Sequence, residues 1–142
     1  MSYVNIMIHA VWSTKNREAI LTDETGWKII QHIRENAKAK QIFIDRLNGH
    51  TDHLHCLMGL NRDMSISKAM QLIKGESAYW ANKNGISPSK FEWADEYFAV
   101  SVSESILDKT RRYIDGQKEH HKKITFAQEY EAFIRNYPSM RI

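Results

Sequence analysis

Apolar and polar positions alternate along residues 3–13. Val4, Ile6, Ile8, Ala10 and Trp12 fall on one face, and Asn5, His9 and Ser13 fall on the other with Met7 and Val11. A two-residue period predicts a half-covered strand, because successive side chains of extended backbone point to opposite sides. A polar loop follows at 14–21. Thr22 or Asp23 can cap a helix, and Trp27, Ile30, Ile33 and Ala37 then recur at helical spacing. Residues 41–48, rich in Ile and Phe, predict a second strand, and Gly49 a turn. Residues 53–58 predict a third strand with Leu54, Cys56 and Met58 toward the core.

A turn at Asn61-Arg62-Asp63 precedes a second helix, opened by Ser65 or Ser67 and carrying Ile66, Ala69, Met70, Ile73 and Trp80. Gly75 inside it costs about 1 kcal/mol relative to alanine, which suggests a close backbone approach. Residues 83–90 hold Gly85 and Pro88 and read as loop, and 91–102 as a last strand or a short hairpin. Ser103 can cap a third helix with Ile106, Leu107, Thr110, Tyr113, Ile114 and Gln117. Thr125 and Gln128 form a capping-box pattern ahead of a fourth helix to about Asn136. The order β-α-β-β-α-β followed by helices is α+β and ferredoxin-like (RRM-like). It implies an antiparallel sheet with helices on one face, plus C-terminal helices carrying the tyrosine. The opposite face is expected to be free, with His53 and His55 on it and His9 pointing the same way.

The 142 residues suit a single domain spanning 1–142, and 20 Lys+Arg against 17 Asp+Glu give a net charge of +3, compatible with nucleic acid. The lone cysteine, Cys56, excludes an internal disulfide and a multi-cysteine zinc site, and favours a reduced, cytoplasmic setting. No apolar run approaches the ~20 residues of a membrane span, and the N-terminus lacks the pattern of a signal peptide. Repeats and low-complexity tracts are absent.

Two residue pairs carry the chemistry. His53 and His55 are two apart in a predicted strand; Tyr113 and Gln117 are four apart in a predicted helix. Each pair shares a face, so each can aim both side chains at one point. Two imidazoles and an amide oxygen would hold a divalent ion such as Mg²⁺ or Mn²⁺ with its charge largely unneutralised, favouring a phosphate as the next ligand. Asp52 is a candidate for orienting a neighbouring imidazole or a water. Tyr113 is the candidate nucleophile. A phenol titrates at ~10, so the ion and the nearby Arg111, Arg112, Lys118, Lys122 and Lys123 are expected to favour phenolate. Attack on a phosphodiester would leave a covalent phosphotyrosine. Taken singly, each feature also fits a plainer role: hydrogen-bonded histidines, a packed tyrosine, a solvated basic face. His120-His121 reads as surface, or at most as phosphate contacts, because adjacent helical residues diverge by about 100°. Cys56 reads as core, His9 as structural and the four tryptophans as core, with Trp80, Trp93, Phe91 and Tyr97 able to stack bases if exposed.

The combination Thr51-Asp52-His53-Leu54-His55-Cys56-Leu57 with Tyr113-Ile114-Asp115-Gly116-Gln117 resembles the single-tyrosine HUH transposases of small bacterial insertion sequences. Residues 8–17, Ile73-Lys74-Gly75-Glu76-Ser77, Val100-Ser101-Val102-Ser103 and 117–123 resemble the same family, in the same order along nearly the whole chain. Thr51 stands where many members carry proline. The resemblance implies binding of imperfect hairpins near element ends, and cleavage and rejoining of single-stranded DNA. It implies a metal on His53, His55 and Gln117, and attack by Tyr113 giving a 5′-phosphotyrosine and a free 3′-OH. It also implies a homodimer joined sheet edge to sheet edge, in which the tyrosine helix can serve the partner's histidine pair. Lys15, Arg17, Lys74, Arg111, Arg112 and Lys118 are the DNA-binding candidates. A domesticated nuclease cutting repeated hairpins and a non-catalytic RRM-like nucleic-acid module are the alternatives.

Overall fold

The computed structural model describes residues 2–136. Four strands, β1 (Met7–Ser13), β2 (Phe43–His50), β3 (His53–Gly59) and β4 (Phe98–Val102), form one antiparallel sheet in the order β2-β3-β1-β4. Helices α1 (Asp23–Ala39) and α2 (Ile66–Lys83) cover one face, completing the ferredoxin-like plan. Ala10, Trp12, Leu54, Cys56 and Met58 meet Ile29, Ile33, Met70 and Ile73 in the main core, as the alternation requires. Thr22 and Ser65 cap the two helices with their hydroxyls.

The helical register of α1 differs from the expected one. Ile29, Ile33 and Ala37 are buried, whereas Trp27 is 63% exposed. Trp27 lies off the buried stripe, which runs through Thr25, Ile29, Ile33 and Ala37. Of the other tryptophans, Trp12 and Trp93 are core, and Trp80 lies half-buried against the His32 ring. A Cβ at Gly75 would meet nothing within 4 Å, so no backbone approaches there. The last strand is short. Residues 91–97 contribute only an isolated bridge, Trp93 to Thr14, because Phe91 and Trp93 turn into the core beside α2.

Gly49 lies within β2 opposite Leu54, and the chain turns at Thr51-Asp52. A Cβ at Gly49 would overlap the carbonyl oxygen of His53 and sit 2.9 Å from Leu54 Cα. Both are backbone atoms of a paired strand and have no room to yield. Gly49→Ala is therefore expected to destabilise the protein by about 1–3 kcal/mol, read as a lower urea midpoint.

The second sheet face is not free, contrary to the sequence expectation. Helices α3 (Leu107–Asp115), α4 (Gln117–His120) and α5 (Phe126–Asn136) cover it. Leu107 and Ile114 pack on Leu57 and Val102, and Phe126 joins Val11 and Phe98 with Tyr130 and Phe133 alongside. The expected third helix is divided at Gly116, and a 3-10 turn (Glu104–Ile106) rather than a Ser103 side-chain cap introduces it. The capping box ahead of α5 forms: Gln128 Oε1 accepts from the Thr125 amide (2.9 Å) and Thr125 Oγ1 from the Gln128 amide (3.2 Å).

Candidate active site

The site is assembled on the face of the sheet opposite α1 and α2. His53 and His55 project from β3, their alternation with Leu54 and Cys56 placing them there. Tyr113 comes from α3, which is docked on β2 by polar contacts. A bulge between Ile44 and Arg46 frees Asp45 from the ladder. The Asp45 carboxylate accepts from Arg111 Nε (2.9 Å) and Nη2 (2.8 Å), and Arg111 Nη1 donates to Asp108 (2.7 Å). The Arg111 guanidinium holds Asp45 below the usual carboxylate range. Asn48 Nδ2 donates to the Ile114 carbonyl (2.9 Å), satisfying an orphan oxygen near the end of α3.

These elements bring His53, His55, Gln117 and Tyr113 together, and they converge on a residue the sequence reading passed over. Glu129, from α5, is 2% exposed, and His53, His55 and Gln117 are fully buried. Glu129 Oε1 lies 3.0 Å from His55 Nε2, 3.4 Å from His53 Nε2 and 3.4 Å from His121 Nε2. Its Oε2 accepts a hydrogen bond from the Tyr113 hydroxyl and lies 3.1 Å from His120 Nε2. Gln117 Oε1 is 3.1 Å from His53 Nε2 and 3.0 Å from His121 Nε2. His120 and His121, expected at the surface, thus both reach Glu129. The divergence of adjacent helical residues places one against each carboxylate oxygen.

A further layer orients the imidazoles. Asp52 Oδ1 accepts from His53 Nδ1 at 2.8 Å. His9 Nε2 and His55 Nδ1 share a hydrogen bond of 2.9 Å, so His9 supports a cluster member from behind. The Phe126 ring stacks on His53, centroids 4.1 Å apart, and Phe133 packs edge-on to His55 and Tyr113. The site is roofed by aromatic rings of α5, and its interior is polar.

Burial sets the protonation states, modified by these contacts. It pushes His55 down to about 4, and burial with the neighbouring His55 pushes His9 down to about 3. Burial opposes charge on His53, but hydrogen bonds to Asp52, Glu129 and Gln117 outweigh it and raise its pKa. Burial likewise works against the Glu129 carboxylate, yet His53 and His55 hold it well below its ordinary range. Burial and Glu129 together raise Tyr113 far above a free phenol. Three of the five cations expected to favour phenolate are paired with acids instead. Arg111 is spent on Asp45 and Asp108, Lys118 pairs with Asp23 (3.2 Å) and Lys122 with Glu119 (2.9 Å). The nearest charge is the Glu129 carboxylate, which keeps the phenol protonated.

Of the other basic candidates, Lys15 pairs with Glu92 (3.2 Å), and Arg17 lies over the rings of Phe126 and Tyr130. Lys74 donates to the carbonyls of Ala94, Asp95 and Glu96, and Arg112 is exposed. Lys74 and Arg111 therefore brace the fold. A cavity of about 590 Å³ between α2 and residues 90–97 shares no residue with the histidine cluster.

His53, His55 and Glu129 offer ligand atoms within 4.8 Å of one another, as do His120, His121 and Glu129. Imidazole nitrogens whose other ring nitrogen is anchored, beside an amide oxygen and a carboxylate, form a donor set that fits a divalent cation.

The chain belongs to the single-tyrosine HUH transposases, in the IS200-like transposase family. The profile of that family, described as "Transposase IS200 like", matches residues 2–117. Among solved structures, a candidate transposase from Deinococcus radiodurans R1 is similar. It is 26% identical with a TM-score of 0.64, over 82% of this chain and 95% of that one. A REP-associated tyrosine transposase bound to a REP hairpin shares the fold, at 16% identity and a TM-score of 0.56, over 82% of this chain and 67% of that one. No curated protein matches. Among the described residues no helix is long and apolar enough to cross a membrane.

Proposed function

We propose that this chain is a DNA transposase that binds hairpins at insertion-sequence ends and cleaves and rejoins single-stranded DNA through a 5′-phosphotyrosine on Tyr113. His53, His55 and Gln117 hold a divalent cation, Mg²⁺ or Mn²⁺. One observation carries this reading: a single buried carboxylate, Glu129, touches the Tyr113 hydroxyl with one oxygen and the His53 and His55 Nε2 atoms with the other. A phosphate attacked by Tyr113 while bound beside the histidines has to occupy that position.

In the reaction Glu129 gives way to the scissile phosphate, which requires α5 to lift from the sheet face. The Tyr113 oxygen attacks phosphorus. The bond from tyrosine oxygen to phosphorus forms, the bond from phosphorus to the 3′ oxygen breaks, and the departing 3′ oxygen takes a proton from water. His120 Nε2, 3.4 Å from the phenol oxygen, is within reach of the phenolic proton. A bound divalent cation supplies Lewis-acid polarisation of the phosphate. Gln117 and His53, tied to each other at 3.1 Å, keep the cation side of the site in place. Rejoining is the reverse attack by a 3′-OH on the phosphotyrosine, so no external energy source is needed.

The homodimer, its edge-to-edge joining and exchange of the tyrosine helix between copies belong to this proposal, as do a cytoplasmic setting and one domain over 1–142. In the closed chain Tyr113 already stands over its own histidine pair. A non-catalytic RRM-like module would stack bases on exposed sheet aromatics; here that face carries histidines beneath α5. A domesticated nuclease would share all the chemistry, and the DNA flanking the gene distinguishes it from a mobile element.

The test is incubation of the protein with labelled, hairpin-bearing single strands and Mn²⁺, followed by a denaturing gel. A covalent protein–DNA band is expected; binding without any covalent product under Mg²⁺ or Mn²⁺ would favour the non-catalytic module. Asp52→Ala is expected to weaken cation binding by about 10–100-fold, the usual cost of losing an orienting partner, measured by calorimetry.

A further inference from the structure

His121 and Glu129 are not explained by a cation site built from His53, His55 and Gln117 alone. Their hydrogen bonds leave a deficit. His121 Nδ1 faces the Ile124 carbonyl at 2.9 Å, so its hydrogen lies on Nδ1 and a lone pair on Nε2. That lone pair points at Gln117 Oε1 (3.0 Å) and Glu129 Oε1 (3.4 Å), both acceptors. His53 converges on the same oxygens from β3. Its Nδ1 hydrogen is given to Asp52, and its Nε2 points at the same two oxygens, at 3.1 and 3.4 Å. The orientation of the Gln117 amide is set at its other end, where Nε2 faces the Tyr113 carbonyl (3.4 Å) and Glu129 Oε2 (3.5 Å), both acceptors. At His121 Nε2 a lone pair therefore faces two acceptor oxygens at one buried point.

Such an arrangement asks for positive charge at its centre. A carbonyl or carboxylate on the far nitrogen is also how ligating histidines are usually held. Bonds of about 2.1 Å to a first-row cation place neighbouring donor atoms about 3.0–3.4 Å apart. The five separations from the nitrogens of His53, His55 and His121 to the two oxygens run from 3.0 to 3.4 Å.

We propose that in the closed chain the cation is held by five donors, Nε2 of His53, His55 and His121 with Oε1 of Gln117 and Glu129. Three imidazoles select a transition cation such as Mn²⁺ over Mg²⁺. The proposal rests on the transposase reading for the cation itself and adds two ligands from the segment after the tyrosine helix. Glu129 then completes the cation's shell at rest and yields its place to the phosphate when DNA enters.

The experiment is calorimetric titration of the metal-stripped full chain with MnCl₂ and MgCl₂, without DNA. The wild type is expected to bind one Mn²⁺, with Mg²⁺ weaker by about 100-fold or more. His121→Ala and Glu129→Gln are each expected to weaken Mn²⁺ by about 10-fold or more. Unchanged Mn²⁺ affinity in both variants, with loss in His53→Ala, would overturn the five-donor set and leave the transposase reading standing. No Mn²⁺ binding by the wild type would overturn both. A second measurement needs no variant: electron spin-echo modulation on the wild-type Mn²⁺ complex counts coordinated imidazoles. Three are expected, and two would refute the assignment of His121.

Discussion

Tyr113→Phe yields no covalent protein–DNA product, whatever the cation or incubation time. Phenylalanine keeps the ring that packs against His55 and Phe133 but has no oxygen to form a phosphate ester. The change removes one hydrogen bond to Glu129 Oε2, which retains His120 and Gln117 as partners. The stability cost is therefore on the order of 1 kcal/mol, and the variant should fold and still shift hairpin DNA in a native gel. A variant that binds DNA and forms the adduct at the wild-type rate would show that another residue is the nucleophile.

His53→Ala is expected to remove cation binding and strand cleavage together. His53 Nε2 approaches both Gln117 Oε1 and Glu129 Oε1, and its Nδ1 is fixed by Asp52, so its loss leaves three polar groups without a common partner. Loss of an orienting partner alone weakens metal sites by about 10–100-fold, so loss of a ligand is expected to exceed 100-fold in Mn²⁺ affinity. With the Lewis acid gone, several kcal/mol of transition-state stabilisation go too, about 1000-fold or more in the rate of adduct formation. Circular dichroism distinguishes this from unfolding. Cleavage that persists at the wild-type rate in the presence of a chelator would contradict the role given to the histidines.

Local rules carried much of this architecture. Alternation in β1 and β3 placed His53 and His55 opposite Leu54 and Cys56, and the i,i+4 spacing placed Gln117 below Tyr113 even though Gly116 divides the helix. The capping box ahead of α5 was readable because it involves only Thr125 and Gln128. What escaped was set by distant packing. Nothing in α5 by itself announces that Phe126 and Phe133 seat on the histidine face, and Glu129 looks like one more exposed helical acid until that docking buries it. His121 was passed over because neighbouring helical residues diverge; that rule holds here, but a single carboxylate collects both directions. Arg111 and Lys74 read as DNA-binding candidates, and the structure adds that Asp45 at the bulge and the carbonyls of 94–96 accept hydrogen bonds from them. Composition cannot anticipate a partner created by a bulge.

The most direct measurement of the account is peptide mass mapping of the product trapped on a hairpin-bearing single strand with Mn²⁺. The expected result is one modified peptide, carrying a 5′-phosphonucleotide on Tyr113. A nucleotide found on any other residue, or strand cleavage that leaves no nucleotide on the protein, would contradict it.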